Sequence, residues 1–487
     1  MSKQSRLTGA ISLSIAQAIV LLLGYVTHLW IGRVLGPAPY GIYGIVLSVQ
    51  TILGLFITLG VPAAVSRFIA QHEEHSQAIL SQTIKVQAAI ATIIALITLL
   101  LAPLLSYILG DWSLVPYLAF VAPIIFCQAL YPIYTQFLSG LHRFHKQAAL
   151  TTIYAVAKLA GAIGFIYLFH LYGALFGFAL GGIVAGIVGW TWTRSIGKKT
   201  NFTLVIKDLL EFAGLYVLVL AGLQVLMSLD LLMVKALLKN DVITGYYNAA
   251  STLARIPYFL LQGLSFILLP SVSALTKTGA DHTKAAIFIR DTLRYLIALI
   301  IPSVALAAAT SQELVALFFS REFLPSAQAL TILMVGLGAL AFYLLLANIA
   351  AGAGKAKFTL TITAGMILVS ALIGSFTIPR FGLIGAASQT TITAIIGFII
   401  LATYTFRTFK IPIPTRSTAN IVIATAVAIA PTYVWKASGL FLPIQYVVLY
   451  IVYVLALVIL GEVTSADRNR IAGIHPALKW LAPVPKV

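Results

Sequence analysis

The chain has 487 residues, of which 60% are hydrophobic and 9% charged, and its formal net charge is +18. With a mean hydropathy of +1.02, this composition excludes an ordinary soluble globular protein. Apolar stretches of about 20 residues, long enough to cross a bilayer as a helix, recur along the whole chain. We therefore predict an all-α polytopic membrane protein. The single cysteine, Cys127, lies in an apolar stretch, so we expect neither a disulfide framework nor a thiolate metal site.

A basic N-terminus precedes the first apolar stretch, which we expect to be retained as a helix because no small-residue cleavage site follows it. Hydropathy and turn residues predict about fourteen spans in all. The first seven lie near 8–31, 43–68, 80–108, 115–138, 148–170, 172–194 and 212–238. The others lie near 245–271, 289–310, 325–350, 357–378, 382–406, 418–437 and 441–461.

Lysine and arginine collect in alternate loops of this arrangement, as expected of cytoplasmic loops. If the N-terminus is cytoplasmic, the opposite side receives only Arg33, Lys235, Lys239, Arg321, Arg380 and Lys436. We therefore predict a multi-pass protein of the cell membrane with both termini in the cytoplasm. The positive charge then serves topology and contacts with anionic lipid headgroups, so we predict no nucleic-acid partner.

The sequence repeats itself at offsets of about 200 to 210 residues. A parallel repeat of this kind is typical of alternating-access carriers built from two bundles. We predict a first six-helix lobe with its linker at 1–208, a second at 209–411, and two further helices with a cytoplasmic tail at 412–487. The matched segments are RVLGPAPYGIYG with KALLKNDVITGYYN (Gly41 and Tyr43 with Gly245 and Tyr247), SGLHRFHK with AGAGKAK, and YGALFG with FGLIGA.

Four blocks together resemble a known family. They are GRVLGPAPYGIYG (32–44), LGVPAAVSRFIA (59–70), SGLHRFHK (139–146) and the long block 230–275. The chain resembles, through about residue 405, the polysaccharide-exporter branch of the MOP superfamily, the flippases that carry lipid-linked sugars. The resemblance implies fourteen helices, two six-helix lobes, a central cationic cavity, and transfer of a polyprenyl-linked oligosaccharide across the cytoplasmic membrane.

Ionisable residues inside predicted spans are candidates for function because they are costly in a bilayer. Asp230 and Arg255 lie about twelve residues on either side of one turn, and therefore at similar depth. They are either a structural ion pair or a coupling pair, in which Arg255 takes a substrate phosphate and Asp230 takes H⁺ or Na⁺. Lys158 is the third such residue. His28 lies at the equivalent depth of the first hairpin, as a coupling candidate or a packing histidine.

Polar and aromatic residues also recur at helical spacing, for example Gln128, Tyr131 and Thr135 in the fourth span. Such faces either line a cavity or form interhelical hydrogen bonds. Arginine suits phosphate oxygens because its planar fork binds two of them, and tyrosine rings offer stacking faces to sugars. The candidate substrate-binding residues are Arg255, Lys158, Tyr247, Tyr258, Gln262, Lys235, Gln17 and Tyr154.

No phosphate-binding loop, paired carboxylates or metal-ligand spacing is found, so we predict a protein that is not an enzyme and has no cofactor. We expect a monomeric flippase for lipid-linked oligosaccharides in cell-surface polysaccharide or glycan assembly. One alternative is a cation-coupled antiporter of the multidrug and toxin extrusion type, which should favour acidic cavity residues. Another is a membrane glycosyltransferase or polymerase, for which a sizeable outer loop is lacking.

Overall fold

The computed structural model describes residues 3–196, 206–259, 282–352, 355–409 and 415–463. These residues are almost entirely helical, and no β-strand occurs among them. Ten helical segments of the described part are long and apolar enough to cross a membrane. The prediction of an all-α polytopic membrane protein is confirmed, whereas the count of fourteen spans stays a prediction.

The helices are numbered here in chain order. The first eight are α1 Lys3–Leu35, α2 Pro37–Leu55, α3 Val61–Gln71, α4 Ser76–Ile108, α5 Val115–Ala119, α6 Val121–Gln128, α7 Tyr131–Gly140 and α8 Phe144–Thr193. The remainder are α9 Ile206–Leu238, α10 Asp241–Ala254, α11 His282–Ala309, α12 Ser311–Phe318, α13 Ala327–Gly352, α14 Ala356–Phe409, α15 Thr415–Ile429 and α16 Phe441–Ile459.

The two hairpin turns matched by the internal repeat, α1–α2 and α9–α10, are much tighter than the sequence predicts. Only Gly36, with φ of 77°, separates α1 from α2, because Pro37 is already preset for the first helical turn. Between α9 and α10 the chain turns at Lys239, with φ of 49°, and the Asn240 side chain accepts a hydrogen bond from the Ile243 N–H at 3.0 Å. The second and eighth spans thus begin at Pro37 and Asp241, earlier than predicted.

The predicted second and fourth spans are each interrupted, and one side chain links the two breaks. A π-helical turn, Phe56–Gly60, joins α2 to α3. The fully buried Gln87 of α4 donates hydrogen bonds to the carbonyl of Ile57 in this turn at 2.8 Å and to that of Ala129, between α6 and α7, at 3.0 Å. Gln87 therefore satisfies backbone groups that the breaks free from regular helix.

The same backbone break occurs in both long helices. His170 in α8 has φ 49° and ψ −124°, and Gly382 in α14 has φ 55° and ψ −127°. Three residues later, a Cβ on Gly173 or Gly385 would lie 2.0 or 2.1 Å from the carbonyl oxygen of Phe165 or Thr377. Each long helix is thus a pair of closely packed antiparallel spans, as predicted, and the matched breaks support the internal repeat.

The chain forms two compact units. The first comprises Met1–Thr252, Phe319–Ser326 and Leu360–Gln389; the second comprises Leu253–Phe318, Ala327–Thr359 and Thr390–Val487. These divisions differ from the predicted lobes, because α9 and α10 pack with the first part of the chain. The lobe boundaries at 208 and 411 stay a prediction. The first unit has a buried core between α3, α4, α7 and α8, which includes Ile69, Phe137 and Leu150.

In the second unit, hydrogen bonds connect the C-terminal helices to α11. Arg294 of α11 donates a hydrogen bond to Glu462 at 2.7 Å, and Asn420 of α15 donates to the same carboxylate at 3.2 Å. Burial raises the pKa of Glu462, but the hydrogen bonds from Ser417, Arg294 and Asn420 outweigh it and hold that pKa below its usual range.

Candidate functional site

The acidic residue predicted inside the bilayer, Asp230, is buried in the first unit with 4% of its surface exposed. Its carboxylate accepts a hydrogen bond from the hydroxyl of Tyr247, on α10, at 2.7 Å and another from the Leu231 N–H at 2.7 Å. Tyr247 is fully buried and its hydroxyl is bonded to Asp230, while its predicted role in substrate binding stays a prediction. Arg255 is half-buried in the second unit, and its pairing with Asp230 stays a prediction.

Lys235, a predicted substrate ligand, pairs with two carboxylates of the first unit, and its role in substrate binding stays a prediction. Its ammonium lies 2.6 Å from Asp111, which precedes α5, and also pairs with Asp241 at the start of α10. Only 2% of the lysine side chain is exposed. Its charge is therefore neutralised within the protein, and the arrangement ties the α9–α10 turn to the loop after α4.

Asp111 is a charged neighbour of Lys235 that sequence reasoning missed. Burial raises its pKa, but hydrogen bonds from Lys235 and Ser113, together with the lysine charge, outweigh burial and lower the pKa overall. Ser113 donates through both its N–H, at 2.9 Å, and its hydroxyl, at 2.6 Å. The only signal in the sequence is an acid that follows glycine directly after a long apolar span.

The glycines matched by the internal repeat pack against each other's helices. A Cβ on Gly41 would lie 2.4 Å from the carbonyl oxygen of Asp241, and a Cβ on Gly245 would lie 1.8 Å from that of Pro37. The first turns of α2 and α10 thus meet backbone to backbone, which only glycine permits. The block GRVLGPAPYGIYG therefore builds a helix contact as well as a turn.

Tyr40 anchors this contact through hydrogen bonds to both hairpins. Its carbonyl accepts from the Asn248 side chain at 3.0 Å, and its hydroxyl lies 3.1 Å from that of Thr252. His28 of α1, which is half-buried, lies 3.3 Å from the same hydroxyl. This placement gives His28 a hydrogen-bonded packing role, and its coupling role stays a prediction.

A second polar cluster lies where α6, α7 and both halves of α8 meet. The ring centroids of Tyr131 and Tyr154 are 4.3 Å apart with an interplanar angle of 6°. Gln128 donates to the hydroxyl of Tyr154 at 3.1 Å and to the carbonyl of Phe178 at 3.2 Å. The Lys158 ammonium lies 4.9 Å from the centroid of the Phe178 ring. The structure thus brings together the predicted residues Tyr154 and Lys158.

The other candidates are dispersed. Gln17 is exposed on α1. Tyr258 is buried in the second unit, where it interacts electrostatically with Arg255 and packs edge-on against Phe259 at 5.5 Å. Gln262 lies outside the described residues.

Several solved structures share this fold. One described as the lipid II flippase MurJ in an inward closed conformation superposes with a TM-score of 0.77 at 16% identity, over 93% of this chain and 99% of that one. An inward-facing multidrug resistance MATE family transporter of the MOP superfamily superposes with a TM-score of 0.61 at 17% identity, over 82% and 99%. The chain therefore shares its fold with these two polytopic helical transporters.

Sequence comparison identifies the family. The family described as polysaccharide biosynthesis protein matches residues 7–276, and the chain belongs to it. Two uncharacterized membrane proteins of Methanocaldococcus jannaschii are 22% and 21% identical, each over 78% of this chain and over 79% and 92% of their own length. The resemblance drawn from the sequence is confirmed, and the chain is a multi-pass membrane protein of this polysaccharide biosynthesis family.

Proposed function

We propose that the protein is a flippase that moves a polyprenyl-linked oligosaccharide, joined through phosphate or pyrophosphate, across the cytoplasmic membrane by alternating access. Membership of a polysaccharide biosynthesis family and the fold it shares with a lipid II flippase support this proposal. The basic loops support an orientation with both termini in the cytoplasm. The product would enter cell-surface polysaccharide or glycan assembly.

The observation that best supports the proposal is the environment of the Lys158 side chain. It lies within the candidate span Phe144–Thr193 and is half-buried. Among the described residues, its ammonium contacts the Phe178 ring and no carboxylate. Lys235, a buried lysine of the same unit, has two carboxylate partners. A lysine left without an acid at membrane depth is costly, and an anionic substrate would neutralise it.

The same observation weighs against a cation-coupled drug antiporter, because an unpaired ammonium repels a cationic drug. What favours that alternative is Asp230, a buried carboxylate bonded to Tyr247, together with the likeness to MATE transporters. In the flippase, Asp230 would carry the coupling H⁺ or Na⁺ and Arg255 would bind the phosphate. The two functions therefore differ in the charge of the ligand that the protein retains.

Mass spectrometry of the lipids that copurify with gently extracted protein tests the proposal. We expect a polyprenyl phosphate or pyrophosphate glycan with the wild type and about tenfold less of it with Lys158→Gln. Lys146→Gln is the matched control, since Lys146 lies on the same helix over the Trp192 ring, at 6.0 Å, but is exposed. Retention of cationic amphiphiles and no such glycolipid by the wild type would overturn the proposal in favour of the antiporter.

A further inference from the structure

Four side chains of the first unit form what we term the tyrosine–lysine site: Tyr43, Tyr131, Tyr154 and Lys158. Tyr131 and Tyr154 stack in parallel, and Lys158 follows Tyr154 by one helical turn. Gly181 packs against both of the α8 residues, since its Cβ would lie 3.2 Å from the Tyr154 ring and 3.1 Å from the Lys158 Cβ.

Hydrogen bonds hold Tyr154 in a defined direction and leave its proton free. The Gln128 oxygen accepts from Gln50 at 3.0 Å, and the Gln128 nitrogen donates to the Tyr154 hydroxyl at 3.1 Å. Tyr154 thus acts as an acceptor in this bond, and no acceptor for its own O–H occurs among the described residues. Gln128 is buried and donates a second bond to Phe178, so it has no further donor for another group.

The remaining members of the site also present donors without partners in the described part of the chain. Tyr43 is completely buried, its hydroxyl has no hydrogen-bond partner there, and it interacts electrostatically with Tyr154. Tyr131 and Lys158 are half-buried, and neither the Tyr131 hydroxyl nor the Lys158 ammonium has a hydrogen-bond partner among the described residues. Among the described residues, the site therefore combines three phenols, one lysine amine and a pair of aromatic faces, with no carboxylate.

From this arrangement we propose that the tyrosine–lysine site binds an acidic sugar, a glycuronate, of the lipid-linked oligosaccharide, with the pyranose against the tyrosine pair and its carboxylate at Lys158. The inference rests on the proposed flippase function and adds a substrate class to it. Three phenol hydroxyls that can donate match a ligand rich in acceptor oxygens, and one ammonium matches one carboxylate. A neutral sugar would leave the buried ammonium unpaired. The phosphate or pyrophosphate stays assigned to Arg255.

Two synthetic lipids that differ at one position test the inference: a short-chain prenyl pyrophosphate disaccharide ending in glucuronic acid, and its twin ending in glucose. Binding to the full-length protein in detergent is measured by native mass spectrometry and calorimetry. We expect the wild type and Lys146→Gln to bind the glucuronyl lipid about tenfold more tightly than the glucosyl lipid. Lys158→Gln should bind both lipids with the affinity that the wild type has for the glucosyl lipid.

A second variant distinguishes the contribution of the aromatic faces to binding from that of the lysine charge. Tyr131→Leu should weaken both lipids by about the same factor and keep the preference for the acid, because it removes the stacking surface alone. Its thermal midpoint, measured in parallel, shows that it is folded. Equal affinity of the wild type for both lipids would overturn the acidic-sugar inference and leave the flippase proposal standing. Absence of binding to either lipid, with the protein folded, would overturn both.

Discussion

Replacement of Asp111 by asparagine tests whether the ion cluster around Lys235 stabilises the protein. The substitution keeps the shape of the side chain and removes one of the two negative charges that neutralise a lysine with 2% exposure. Loss of the single partner of a buried charge costs about 3–5 kcal/mol, whereas an exposed pair contributes about 0–1 kcal/mol. Asp111 is 21% exposed and Asp241 remains, so we expect a loss of about 2 kcal/mol.

Thermal unfolding in detergent at neutral pH measures this loss, with an expected fall in the midpoint of about 2–4 °C per kcal/mol. Glu74→Gln is the control, because Glu74 is 69% exposed and pairs with His75 at 3.7 Å, and we expect no change. Combining Asp111→Asn with Lys235→Met should cost less than the sum of the two single changes, since the same interaction is lost in both. An additive double variant would refute the reasoning.

The difference in thermal midpoint between the wild type and Asp111→Asn should depend on pH. The pKa of Asp111 is lower in the folded state than in the unfolded chain, where it lies at about 3.9. Its contribution is therefore complete above that value and is lost as the pH falls towards the folded pKa. We expect the difference in midpoint between wild type and Asp111→Asn to be constant from neutral pH to about pH 5 and to shrink below about pH 4. A difference that widened at acid pH would contradict the assignment.

Three further predictions follow from other contacts. Gly245→Ala should destabilise the folded protein by about 1–3 kcal/mol, because the added Cβ meets the Pro37 carbonyl. Gly164→Ala is the control: its Cβ has open space around it, so the change should be neutral or stabilise the protein by up to about 1 kcal/mol. Thermal unfolding compares the two variants. Asp230→Asn should abolish the dependence of transport in proteoliposomes on an imposed H⁺ or Na⁺ gradient, and an unchanged dependence would assign it a structural role. Glu462→Gln should lower the thermal midpoint at neutral pH and lose that effect below about pH 4, because the pKa of Glu462, like that of Asp111, is lowered in the folded state.

The parts of this fold that depend on composition along the chain were predictable. Span positions follow from apolar length, and the matched breaks at His170 and Gly382 fall where the repeated motifs place them. The π-helical turn Phe56–Gly60 was not predictable, since it depends on Gln87, far away in the chain. The tight turn at Gly36 was underestimated because apolarity alone does not show where proline begins a helix.

The residue types of the candidate site were predictable from the sequence, whereas the side chains that each of them contacts were less so. Charge inside an apolar span singled out Lys158 and Asp230, because the cost of burial is a property of the residue itself. Whether that charge is already neutralised depends on tertiary contacts, and Asp111, in a loop after α4, gave no periodic signal. Tyr247, a predicted substrate-binding residue, donates its hydroxyl hydrogen bond to Asp230, and this partner was not predicted from the sequence.

Two lysines of the first unit differ in the partners of their side-chain charge. Lys235 is more deeply buried, and a ligand would have to displace two carboxylates to reach it. Lys158 is half-buried, and its neighbours in the described structure are an aromatic ring and phenols that present donors. A bound anion would therefore compete with the protein's own acids at Lys235 and meet none at Lys158. It follows that Lys235→Gln should alter stability more than ligand affinity, whereas Lys158→Gln should alter ligand affinity more than stability. Thermal unfolding and lipid binding measured on both variants check this, and the reverse pattern would exchange the two roles.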